Sequence, residues 1–197
     1  FEENKTADFV FSTLKSVGLH PERMAKTGVV AMINGGHSVP VIALRADLDA
    51  LPIQEMNDVP YKSLNNGVMH ACGHDVHTAS LLGAAMILND LKADLSGSIK
   101  LIFQPGEEKL PGGASIMIKE GVLENPKPAS IVGQHVFPEL EVGKVGFRSG
   151  MYMASCDEIH ITVKGKGGHG AMPHLAIDPV LISSHLVIAL QQVVSRK

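Results

Sequence analysis

Short apolar β-rich runs alternate with helical patterns from Thr6 to His135, an order that argues for an α/β domain with a mostly parallel sheet flanked by helices. Phe9, Val10, Leu14 and Val17 recur at helical spacing, so Thr6 to Val17 reads as a helix that Gly18 stops. The runs Gly28 to Ile33 and Val39 to Leu44 are separated by Asn34-Gly35-Gly36, which predicts a hairpin turn. Past the polar loop at Asn65-Asn66-Gly67, Thr78 to Leu91 is rich in Ala and Leu and predicts a buried helix. Ser98 to Phe103 then reads as a strand ending in Gln104-Pro105. A short helix from Ala114 to Lys119 stops at Gly121, and Ser130 to His135 is a further apolar strand.

The texture changes near residue 150. Ile159, Ile161 and Val163 alternate with His160, Thr162 and Lys164, the period-2 signature of a strand wet on one face, which suggests an antiparallel element. Asp178-Pro179 places a capping residue before a Pro at the first helical position, and the apolar helix Val180 to Val194 follows. A strand and a helix alone cannot close a core, since domains below about 40–60 residues are already marginal. The expected organisation is therefore a first domain over 1–152 and an incomplete α+β domain over 153–197. With no initiator Met and no signal-like region, Phe1 is expected to be an internal residue of a longer protein.

Charge and cysteine content narrow the function classes. The 20 acidic and 17 basic residues leave a formal charge of −3 without a basic run, which argues against a nucleic-acid partner. Cys72 and Cys156 are too few for a disulfide framework, and no apolar run approaches the roughly 20 residues that span a bilayer. No membrane partner is expected, and the chain reads as soluble and cytoplasmic.

The densest chemical segment is His70-Ala-Cys72-Gly-His74-Asp75-Val-His77. In an extended loop, residues i and i+2 face the same side, so the Cys72 thiolate and the His74 imidazole can reach one metal centre. Asp75 can orient a ring nitrogen or cap the following helix, while His70 and His77 read as structural or supporting groups. Gln104-Pro-Gly-Glu107-Glu108 stands at the carboxyl end of a strand, where open α/β sheets place their crevices. Neighbouring side chains in extended chain diverge, so one carboxylate can bind a metal while the other acts as general base. Asp47 and Asp49 follow another apolar strand as ligands or as carboxylates that fix a ligand imidazole, and His135 ends a third strand. In Gly165-Lys-Gly-Gly-His169-Gly, the glycines allow close approach of a ligand to an imidazole that could hold an oxyanion. A phosphate loop is the weaker reading there, because the G-x-x-x-x-G-K-[ST] spacing is missing.

Taken together and in this order, RADLDALP, GVMHACGHDVH, FQPGEE, GQHV and GKGGHGAMPH resemble the amidohydrolase branch of the dinuclear-metal aminoacylase and carboxypeptidase family. That resemblance implies a zinc-peptidase-like catalytic domain interrupted by a lid and dimerisation domain, of which this chain looks like the amino-terminal half. It implies Cys72, His74, Glu108 and His135 as metal ligands, Glu107 as general base and Asp49 as the residue orienting a ligand. It also implies that His169 steadies the tetrahedral intermediate. In the wider family a metal-binding His stands where this chain has Asp47, a departure that fits the amidohydrolase branch and leaves the role of Asp47 open.

The chemistry implied is hydrolysis of N-acyl amino acids with two divalent ions, for which Mn, Zn, Co or Ni would each suit the ligands, in a possible homodimer formed through the lid. The competing readings are a carboxypeptidase or dipeptidase of the same family and a metal-binding fragment without turnover.

Overall fold

The structure is a computed structural model that describes residues 1–38, 40–154 and 157–195. It forms two compact units, Phe1–Lys144 and Val145–Lys197, where the sequence reading placed the boundary at 152/153. The first unit runs α1 (Asn4–Ser16), β1 (Glu22–Met24), β2 (Gly28–Ile33), β3 (Val41–Asp47), α2 (His74–Asp90), β4 (Ser98–Gln104), α3 (Gly113–Lys119) and β5 (Ser130–Gly133). The second contains α4 (Pro179–Ser195).

Five strands form one mixed sheet in the order β1-β2-β4-β3-β5. β3 is parallel to β4 and β5, as helical crossovers require, and β2 is antiparallel to β1 and β4. The hairpin expected at Asn34-Gly35-Gly36 does not form, because β4 lies between β2 and β3. The Gly36 N–H donates to the Leu95 carbonyl at 2.9 Å. A Cβ on Gly35 would lie 2.0 Å from the Gly97 carbonyl oxygen. These glycines therefore let the connection press against the turn that leads into β4, instead of reversing the chain. Val39, expected to open the next strand, lies outside the described residues.

β4 divides its side chains between two cores, as its period of two requires. Leu101 and Phe103 join Val10 and Leu14 of α1 and Leu81, Leu82 and Ala85 of α2 on one face. Ile102 meets Met117 of α3 on the other. Fully burying side chains of this size stabilises the fold by about 1.5–3 kcal/mol each.

Lys100 shares the Ile102 face of β4 and is only 4% exposed. Its Nζ donates to the carbonyl oxygens of Val122, Glu124 and Pro126 at 2.9, 2.8 and 2.7 Å, which pins the chain between α3 and β5. Burial pushes its pKa down, while the nearby Glu124 charge opposes that shift. Lys100→Met keeps the hydrocarbon stem and leaves those carbonyls without their donor, at an expected loss of about 1–3 kcal/mol. Calorimetric melting checks this, and an unchanged Tm would contradict it.

In the second unit, Asp178 caps α4 as the sequence implied, its Oδ1 accepting the Val180 and Leu181 N–H groups at 2.9 and 3.2 Å. The strand expected over 159–163 is not formed among the described residues. The unit's ladder contact there is the bridge Lys166↔Ile177, and alternation without a partner strand cannot satisfy a backbone. No helix among the described residues is long and apolar enough to cross a membrane.

Candidate metal centre

Parallel pairing brings the carboxyl ends of β3, β4 and β5 to one edge of the sheet. Asp47 ends β3 in register with Gln104, the last residue of β4. Asp49, Glu107 with Glu108, and His135 follow the three strands, and the first turn of α2 brings Cys72 and His74 to the same edge. Residues far apart in the chain thus converge because the strands that carry them share a direction.

Cys72 and His74 do come together, but not through an extended loop. Residues 71–72 form a turn, Gly73 takes the left-handed conformation (φ 80°), and α2 begins at His74, one turn before the expected Thr78. A Cβ on Gly73 would also lie 2.5 Å from Cγ2 of Val136, so both conformation and space demand glycine. The Cys72 Sγ lies 3.4 Å from His135 Nε2.

His74 is 1% exposed. Its Nδ1 donates to the Asp49 carbonyl at 2.9 Å and approaches the Asp49 Oδ1 at 3.3 Å. Asp49 Oδ2 accepts the Glu108 N–H at 2.9 Å, so one carboxylate fixes both the imidazole and the acidic loop. Glu107 and Glu108 lie in a bend, and their carboxylates converge on His74 within 4.8 Å instead of diverging as extended chain would. Among the described residues Asp75 orients no ring nitrogen. It is exposed in the first turn of α2, where its charge complements the helix N-terminus.

The donor chemistry fits a divalent cation. Cys72, His74 and His135 form one candidate group, and His74, Glu107 and Glu108 form another. The buried His74 Nε2 has no hydrogen-bond partner among the described residues, while it lies 3.6 Å from Asp47 Oδ2 and 4.0 Å from Glu108 Oε1. A buried lone pair among carboxylates is the arrangement a cation completes.

The same crowding sets the acid–base state of the metal-free protein. Burial pushes Cys72 up first, and the neighbouring Glu108, Glu107 and Asp47 carboxylates add to this, taking the thiol to about 11. Burial alone would lower His74, yet the Asp49 and Asp47 carboxylates outweigh it and raise its pKa. For Asp49, burial acts upward, but hydrogen bonds from His74 and from the Glu108 and Glu107 N–H groups hold it down to about 2, against an ordinary 3.8. A depressed carboxyl stabilises the fold above its unfolded pKa and loses that contribution as pH falls through the folded value. Metal-free protein should therefore lose about 2 kcal/mol relative to Asp49→Asn between roughly pH 4 and pH 2. Urea unfolding of both proteins at pH 5, 3 and 2 checks this, and a constant gap would refute it.

His169 belongs to the second unit, in its Gly-rich segment, where its Nδ1 accepts the Ala171 N–H at 3.1 Å. Asp47 Oδ2 accepts from Arg45 Nη1 at 2.8 Å, an Arg–Asp pair that their spacing of two allowed, and its Oδ1 meets His77 Nδ1 at 2.7 Å, a partner with no signal in the sequence. His77 is 30 residues away in sequence, and only the packing of α2 on β3 joins them.

Residues 43–197 match the model of peptidase family M20/M25/M40. The chain belongs to this family. Among M20 relatives it is 49% identical over 197 residues to the N-acyl-L-amino acid amidohydrolase of Geobacillus stearothermophilus, covering 100% of this chain and 53% of that protein. It is 46% identical over 197 residues to the hippurate hydrolase of Campylobacter jejuni, covering 100% of this chain and 51% of that one. The Bacillus subtilis YXEP protein, a dinuclear metal binding peptidase from the M20 family, superposes with a TM-score of 0.72 at 44% identity, covering 76% of this chain and 42% of that one. The chain spans about half the length of the curated relatives it matches.

Proposed function

We propose that the protein hydrolyses the amide bond of N-acyl amino acids, using two divalent metal ions of the Mn, Zn, Co or Ni class. The buried, unpartnered His74 Nε2 among carboxylates carries this reading, and the amidohydrolase names of relatives at 46–49% identity support the substrate class. Cys72, His74, Glu108 and His135 would hold the ions. Bound there, such ions polarise the substrate carbonyl and bring the pKa of a water toward neutrality.

Glu107 takes the proton of the attacking water and returns it to the leaving nitrogen, a role suited to the neighbour of a ligand carboxylate. Asp49 keeps His74 in one orientation and holds the Glu108 backbone, so that base and ligand keep a fixed separation. His169 is assigned to the oxyanion. Acceptance of the Ala171 N–H at Nδ1 leaves its proton on Nε2, where it can donate. Two copies would associate through the second unit, a reading supported by the exposed Val180, Val187 and Ile188 of α4. A cytoplasmic location belongs to the same reading and accords with the unpaired Cys72 thiol.

Release of amino acid from a panel of N-acyl substrates by the whole protein, loaded in turn with each metal, tests the proposal. Turnover of N-acetyl or N-benzoyl amino acids is the expected result. Failure on every acyl amino acid alongside cleavage of dipeptides would replace it with the peptidase reading.

A further inference from the structure

We infer that His77, anchored by Asp47, is the positioning residue for His135, fixing its place and its tautomer through the backbone of Val136. The inference rests on the metal-centre reading above and assigns a role to Asp47.

His77 is fully buried, with Nδ1 2.7 Å from Asp47 Oδ1 and Nε2 2.9 Å from the Val136 nitrogen. A backbone N–H can only donate, so His77 Nε2 is the nitrogen with the lone pair and the proton sits on Nδ1, donated to Asp47. Both ring nitrogens are therefore engaged. His77 cannot serve as a ligand, although its ring lies with Asp47 and His74 in one candidate group.

Val136 continues the chain of bonds. Its carbonyl accepts from His135 Nδ1 at 2.7 Å, which leaves the lone pair on His135 Nε2, 3.4 Å from the Cys72 sulfur. β5 ends at Gly133, so no strand ladder holds His135, and its side chain is exposed. The His77 bond, a T-shaped contact between the His77 and His135 rings at 4.6 Å and the seat of Val136 against Gly73 hold it instead. The other end of the chain is rigid. Asp47 accepts from Arg45, Arg45 Nε donates to Gln104 Oε1 at 2.8 Å, and Thr78 Oγ1 donates to the Asp47 carbonyl at 2.8 Å. Two imidazoles thus draw on two carboxylates: His74 on Asp49 directly, and His135 on Asp47 through His77 and one residue of backbone.

The two nitrogens of His77 can be tested apart. Gln places an amide oxygen near the Nε2 position and can still accept the Val136 N–H, whereas Asn reaches only the Nδ1 position and keeps the bond to Asp47. Cobalt(II) titration of the whole protein, in a Cys156→Ser background, follows the thiolate-to-cobalt absorption that reports binding at Cys72. His77→Asn and His77→Ala should weaken that binding about 10–100-fold, the usual range for loss of a group that orients a ligand, and His77→Gln should change it only a few-fold. Unchanged affinity in His77→Ala, or equal losses in His77→Gln and His77→Asn, would overturn the inference. Long-range nitrogen–proton NMR of the metal-free wild type serves where a variant does not fold: a proton on His77 Nδ1 supports the chain of bonds, and one on Nε2 overturns it. Absence of the cobalt band in the wild type would remove the metal reading itself, an outcome distinct from a band that His77 variants fail to change.

Discussion

Glu107→Gln is expected to keep its metal and lose about 100-fold or more in turnover, the usual scale for removal of a general base. The substitution keeps shape and hydrogen-bonding reach while removing the group that takes the proton. Glu108→Gln should instead weaken metal binding, because the Glu108 carboxylate lies 4.0 Å from the open nitrogen of His74. Metal content and kcat measured on the same preparations separate the two. Near-normal turnover in Glu107→Gln would refute the base assignment, and loss of metal there with retention in Glu108→Gln would show the two roles to be exchanged.

The second large effect distinguishes two ligands that both lose metal. Cys72→Ala and His74→Ala should each weaken binding about 10-fold or more, since even groups that merely orient ligands contribute that much. They should differ in the metal-free fold. Cys72 is half-buried and makes few demands on its neighbours, so its loss should leave the metal-free Tm nearly unchanged. His74 lies 3.3 Å from Asp49 Oδ1 and 3.6 Å from Asp47 Oδ2, and both carboxylates are buried. Asp47 keeps Arg45 and His77 when His74 is removed, but the buried Asp49 loses its imidazole donor, which costs about 1–3 kcal/mol. Equal melting temperatures for the two metal-free variants would show that His74 plays no such part.

Much of this arrangement was legible in the chain because it rests on local periodicity. Leu14 and Val10 fall on one face of a helix, and the strand expected over Ser98 to Phe103 forms as β4, its apolar Leu101, Ile102 and Phe103 buried on both faces. What was not legible depends on contacts made at a distance. Nothing in Asn34-Gly35-Gly36 announces that β4 will insert between β2 and β3, since a turn motif reports the local bend and not the identity of the neighbouring strand. The start of α2 was missed for a related reason: Gly73 occupies the position where a Ser, Thr or Asp cap would have signalled it. The proximity of Cys72 and His74 was anticipated, although a left-handed glycine produces it and not extended geometry. For Asp47 the sequence leaves ligand and imidazole-fixing roles open, because His77 becomes its partner only once β3 and α2 have packed.

The high pKa of Cys72 has a chemical consequence for the protein before it acquires metal. With its pKa pushed up to about 11 by burial and the nearby carboxylates, the thiol stays protonated at neutral pH. Peroxides and alkylating agents attack the thiolate, so metal-free protein keeps this sulfur in the form least open to irreversible oxidation. The carboxylates that await the cation therefore also preserve the sulfur until it arrives.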